Sequence, residues 1–178
     1  MSAPIQPDQQ GLLWGYSKSF WHVLRAERAP APPLEESCKW FAFLPSRDAK
    51  ASQASFERLA RNLFNDPQSH GLCDKGKFSL QPLFQTPDRL VVIFYGHVEQ
   101  KEALKALVEK HAKAERKRLL SEGLVRARDG FLSQWTYKTD AQTAHELQTG
   151  TSAAHLSLLL NVLEIEANAR RPKGPGCR

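Results

Sequence analysis

The stretch E-R-K-R-L-L-S-E-G-L-V-R-A-R-D-G (Glu115–Gly130), followed directly by F-L-S-Q-W-T-Y-K-T-D-A (Phe131–Ala141), decides how the chain is read. Its first part is helical and ends at Ser121-Glu122-Gly123-Leu124, with Gly123 placed for the left-handed position that closes a helix. Its second part predicts a β-hairpin: Leu124 to Arg128 and Phe131 to Thr139 flank Asp129-Gly130, two residues that tolerate the positive φ of a tight turn. On the second strand Phe131, Ser133, Trp135 and Tyr137 share one face. Upstream, from Glu99, the residues Ala103, Leu104, Leu107, Val108, His111 and Ala112 recur at helical spacing, and the apolar stripe lapses over Lys113 to Arg118. The lapse fits one long helix with a solvated far half, or two helices with a turn near Lys110 to Ala112.

Two more strands are predicted at Lys77 to Phe84 and Arg89 to Tyr95, joined by Gln85-Thr86-Pro87-Asp88. The second contains L-V-V-I-F-Y, apolar on both faces, as expected of a central strand. A helix is predicted from Ser52, as N-cap, to about Asn65, with Phe56, Leu59, Ala60, Leu63 and Phe64 on one face and Asp66-Pro67 closing it. Lys39 to Leu44 reads as a buried strand or as a helix extended from Leu34. Gly11 to Arg28 reads as a helix with Leu13, Phe20, Val23 and Leu24 on one face, Trp14 and Trp21 on a neighbouring stripe, and Pro30, Pro32 and Pro33 ending it. The segment Ser152 to Arg170 is apolar nearly all round, which suits a core helix or a subunit interface. The expectation is therefore an α+β domain, with helices, two β-hairpins and a C-terminal apolar helix. It spans residues 11–170 between a flexible lead, 1–10, and a flexible tail, 171–178.

Composition narrows the function classes. An apolar fraction of 41% in 178 residues is enough for a core without staples. Cys38, Cys73 and Cys177 are odd in number and irregularly spaced, so no disulfide framework is expected. The opening M-S-A-P-I-Q-P-D-Q-Q lacks a signal-peptide pattern, and no apolar run is long enough to span a membrane, so the expected location is cytoplasmic.

The formal net charge is +6, and most of it is gathered in one place. Between Lys110 and Arg128 the chain carries Lys110, Lys113, Arg116, Lys117, Arg118, Arg126 and Arg128 against Glu115 and Glu122. Such density suits phosphate binding, since each neutralised phosphate releases counterions and affinity grows with the number of contacts. The bland counterpart is a solvated helix surface braced by pairs such as Glu109 with Lys113.

Together, the basic helix, the Gly-Leu-Val exit and the Gly-tipped hairpin resemble the recognition helix and wing of winged-helix transcription regulators. The resemblance covers residues 115–140 and implies DNA binding. Lys113, Arg116, Lys117 and Arg118 would then face DNA from the helix, and Arg126, Arg128 and Lys138 would serve the wing. It further implies that Ser152 to Arg170 makes a homodimer or contacts a protein partner. The expected function is a nucleic-acid-binding regulatory or accessory protein; the alternative is a non-catalytic structural subunit of a larger protein or ribonucleoprotein assembly.

No catalytic motif is visible. There is no G-x-S-x-G and no glycine-rich phosphate loop, and the paired carboxylates Glu35-Glu36 and Glu164 with Glu166 are at spacings that do not set two side chains on one helical face for acid and base work. His70 and Cys73 stand at H-x-x-C, but zinc needs two such close pairs, and Cys38 and His97 do not supply a second. Neither a cofactor nor a metal is implied.

Overall fold

The computed structural model describes residues 13–18, 20–26, 33–73, 75–82 and 87–143. The expected lead, the segment Ser152 to Arg170 and the tail lie outside these residues. In chain order the main elements are β1 (Leu13–Lys18), β2 (Trp21–Ala26), β3 (Ser37–Pro45), α1 (Ala49–Asn65), β4 (Lys75–Ser79), β5 (Arg89–His97), α2 (Lys101–Ser121) and β6 (Thr136–Thr139), all within the compact unit Met1–Ala141. The strands form one antiparallel sheet in the order β1-β2-β4-β5-β3-β6, so the fold is α+β. From β3 to β6 the succession β-α-β-β-α-β, with β5 inserted between β3 and β4, is the split βαβ or ferredoxin-like topology. The hairpin β1-β2 extends it beyond β4.

β5 is the central strand that its two-sided apolar run predicts. Leu90, Val92 and Phe94 face the helices, Val91, Ile93 and Tyr95 the opposite side, and all six are buried. On that opposite side the ammonium groups of Lys75, Lys77 and Lys39 lie 4.4, 5.2 and 5.9 Å from the Tyr95 ring centre. The expected pairing of Lys77 to Phe84 with Arg89 to Tyr95 is met in part: β4 pairs with β5 but begins at Lys75 and ends at Ser79, and Phe84 lies outside the described residues.

α1 carries the predicted stripe into the core: Phe56, Leu59, Ala60, Leu63 and Phe64 are each at most 1% exposed. Its start lies upstream of the expected cap. Asp48 accepts the Ala51 N–H at 2.9 Å, while Ser52 sits inside the first turn and donates to the Pro45 carbonyl at 2.6 Å. Phe56 stacks on Phe78 at 5.5 Å, and Phe64 meets Phe94 edge-on, so the helix is fastened to β4 and β5 by aromatic contact. Gly96 on β5 is small for a reason: a Cβ there would run into the Leu72 carbonyl oxygen and stand 2.6 Å from Leu104 Cδ2 of α2.

α2 is one unbroken helix. It closes as its sequence predicts: Gly123 takes φ +69°, its N–H reaches the Leu120 carbonyl, and the Leu124 N–H reaches Leu119. The apparent lapse in the stripe is filled by Glu115, a buried acid bound by side chains of both helices.

Two expectations are corrected. Within the segment Gly11 to Arg28, expected to be a helix, Leu13–Lys18 and Trp21–Ala26 are instead the antiparallel strands β1 and β2, with Lys18 opposite Trp21 and Leu24 of β2 opposite Gly76 of β4. Trp21, Val23 and Arg25 alternate with His22, Leu24 and Ala26 along β2, a period of two that the β4 edge satisfies with non-local hydrogen bonds. The Asp129-Gly130 hairpin does not form either. Ala127–Asp129 is a short 3-10 turn, and Thr136–Thr139 pairs with the edge of β3 instead. Gly130 does take positive φ, but the Asp129 carboxylate caps the Arg126 N–H and tightens the turn. Phe131 and Leu132 are then both drawn into the core, which an alternating strand could not achieve, and Leu132 is held at φ +56° as a result.

Candidate nucleic-acid interface

The exposed side of α2 carries Lys110, Lys113 and Lys117, one turn apart along one face. The three differ in what they touch. Lys110 Nζ donates to Asp66 Oδ2 at 2.8 Å, on the oxygen that also lies 2.9 Å from His111 Nε2. Asp66 caps the turn after α1 through the Gln68 N–H as well, and the Lys110 ammonium with these further donors holds its carboxyl well below the usual range. Lys113 and Lys117 have no ion pair among the described residues; Glu109, one turn before Lys113, is turned instead towards Lys105 at 3.6 Å.

Arg116 and Arg118, expected to face DNA, are turned inward. Arg116 donates to the carbonyls of Phe131 (2.9 Å) and Ala127 (2.8 Å), stitching α2 to the chain that follows it. Arg118 donates to Glu115 Oε1 at 2.7 and 3.0 Å and to Glu122. Glu115 also accepts from Ser55 (2.7 Å) and Arg58 (3.1 Å) of α1. Burial pushes its carboxyl up, but the bonds from Arg118, Ser55 and Arg58 outweigh this and keep it below the ordinary Glu value. The donors of these two arginines are thus spent on contacts within the chain.

Arg126 and Arg128 are exposed on the turn after α2. Lys138 is elsewhere. It is half-buried on β6 opposite Lys39, six residues along β3 from Pro45, about 20 Å at the usual rise of a strand. The expected wing cations therefore do not meet.

What Arg126 does meet is not visible in the local sequence. It lines a cleft of about 340 Å³ with Arg47 from the β3–α1 corner and Arg89 from the start of β5, beside Asp88 and Asp129 and over Leu124 and Phe131. The β3–β5 register builds it: Pro45 lies opposite Arg89, the Ser46 N–H reaches the Asp88 carbonyl at 3.0 Å, and the Ser46 hydroxyl reaches that of Pro87 at 2.9 Å. Arg47 Nη2 donates to the Leu124 carbonyl at 3.2 Å. The Arg89 guanidinium lies over two rings, 5.5 Å from the centre of Phe43 and 5.9 Å from that of Phe131.

Among the described residues no group of three or more His, Cys, Asp or Glu could hold a metal ion, and no helix is long and apolar enough to cross a membrane. The chain matches no protein-family model, and no curated protein sequence matches it.

Proposed function

We propose that the protein binds nucleic acid, as a regulatory or accessory protein, through a surface formed by Lys113 and Lys117 of α2 and Arg126 and Arg128 of the turn that follows. The observation that carries this reading is that these four side chains are exposed and have no carboxylate partner among the described residues, whereas Lys110 and Arg118 are already paired. Unpaired cations can neutralise phosphates and release the counterions condensed on them directly, while paired ones would first have to break their own contacts.

Binding on this reading is non-covalent and directed at phosphate rather than at base edges. Groove reading needs long polar side chains aimed outward from one helix, and Arg116 and Arg118 are engaged with the protein itself.

A salt series tests the proposal. Affinity for a short oligonucleotide should fall linearly in log–log form as salt rises, and alanine at Lys113, Lys117 and Arg128 together should flatten the slope by about one unit for each phosphate that is no longer neutralised. Wild-type affinity indifferent to salt, or a slope unchanged in the triple variant, would favour a structural subunit whose basic helix meets protein.

A further inference from the structure

We infer that the cleft between Arg47, Arg89 and Arg126 is a site for a terminal phosphate monoester, carried on a nucleic-acid strand end or on a free nucleotide. Three guanidinium groups from three separate elements line one small concavity. Two carboxylates share it, Asp129, which accepts the Arg126 backbone N–H at 2.9 Å, and Asp88, with a side chain 73% exposed and 3.8 Å from Arg89 Nε, so three arginines against two acids leave the lining positive by one charge.

Two of the arginines are held in place by the protein. Arg47 is anchored on the Leu124 carbonyl by one nitrogen, which leaves its other donors available. Arg89 lies over the Phe43 and Phe131 rings, and a stacked guanidinium keeps its in-plane donors for a planar or bidentate acceptor. Three guanidinium groups against two carboxylates leave an excess of positive charge, which an incoming anion offsets.

A monoester suits this arrangement better than a backbone diester. It carries about −1.5 to −2 charges near neutral pH and presents three terminal oxygens, so it can be shared among three forks. A diester offers one charge and two free oxygens. The cleft, at about 340 Å³ with Phe131 and Leu124 in its lining, is the size of a small-ligand site and has apolar surface for the group that bears the phosphate.

This deepens the nucleic-acid reading and rests on it where the ligand is a strand end. The full-length protein is titrated with one single-stranded oligonucleotide bearing in turn a 5′-hydroxyl, a 5′-phosphate or a 3′-phosphate, and separately with a nucleoside monophosphate. One phosphorylated end should bind more tightly than the hydroxyl form, on the order of tenfold for an added charge-assisted bond. R126A and R89K should abolish that difference, while K113A with K117A weakens every strand alike. R89K retains a cation over the rings and R126A alters an exposed side chain, so folding of both is checked by thermal melting. Equal binding of all three ends, or a phosphate preference that survives in both arginine variants, overturns the inference and leaves the nucleic-acid reading standing. If no strand binds, that reading fails; the monophosphate then decides for the cleft if its binding is abolished in R126A and R89K, and against it if it does not bind.

Discussion

Arg118 lies back along its own helix onto Glu115, three residues earlier, with Nη2 2.7 Å from Oε1, and the buried carboxylate it meets also holds Ser55 and Arg58 of α1. A residue of the most basic stretch in the chain is thereby part of the joint between the two helices. Arg118→Ala should cost about 1.5–3 kcal/mol, the range for a hydrogen bond to a charged group, and leave oligonucleotide affinity within about twofold, the behaviour of a residue outside the binding surface. Urea unfolding and anisotropy titration of the same preparation check the two halves of this expectation.

The three lysines on the outer face of α2 should separate by what they touch. Lys113→Ala and Lys117→Ala should each lower the salt slope by about one unit, and Lys110→Ala by less, because its ammonium is already on Asp66. Equal slopes for all three variants would show that the Asp66 contact does not distinguish them.

Acid should loosen the joint between the helices. Asp66 and Glu115 both have carboxyls below their ordinary values in the folded chain. The folded state therefore binds fewer protons than the unfolded one, and these contributions are complete above roughly pH 5 and fade as the pH drops through the unfolded values near 4 towards the lower folded ones. Urea midpoints at a series of pH values should fall below about pH 4.5, and Asp66→Asn should flatten that fall.

Gly96→Ala should destabilise the protein by about 1–3 kcal/mol, the usual cost of overpacking. The new methyl would meet the Leu72 carbonyl oxygen and Leu104 of α2. Thermal melting reads the change, and oligonucleotide binding well below the melting temperature should be unchanged, since Gly96 is at the far end of β5 from Arg89.

How far the sequence could be read depended on whether an element is settled by its own neighbours. The stripe Phe56, Leu59, Ala60, Leu63 and Phe64, the apolar run of β5 and the Gly123 helix end are local patterns, and each appears where its pattern predicts. The hairpin β1-β2 and the lone strand β6 are settled by partners distant in the chain, the edges of β4 and β3. Aromatic residues at mixed spacing in 11–28 satisfied a helical count without a full helical stripe, and Asp129-Gly130 offered a turn signal that a 3-10 turn used equally well.

The candidate surface divides along the same line. The exposed cations Lys113, Lys117, Arg126 and Arg128 were legible as charge. The engagement of Arg118 was not read, although a signal for it was there: Glu115 and Glu122 lie three and four residues from it, the spacing at which helical side chains meet. Arg47 and Arg89 were not, since they are far apart in sequence and become neighbours only when β3 and β5 pair. The available signal was a pair of Pro-containing corners, Pro45-Ser46 and Pro87-Asp88, each followed by an arginine within two residues.

The pairing of Pro45 with Arg89 makes this corner sensitive to chain length as well as to residue identity. Strand neighbours have a repeat of two, so inserting or deleting a single residue in the middle of β3 or β5 would turn the side chains beyond it to the other face of the sheet. Length changes within those two strands should thus be far more damaging than equal changes in the connection around residues 83–86, and a library of single-codon insertions would map the boundary between the two.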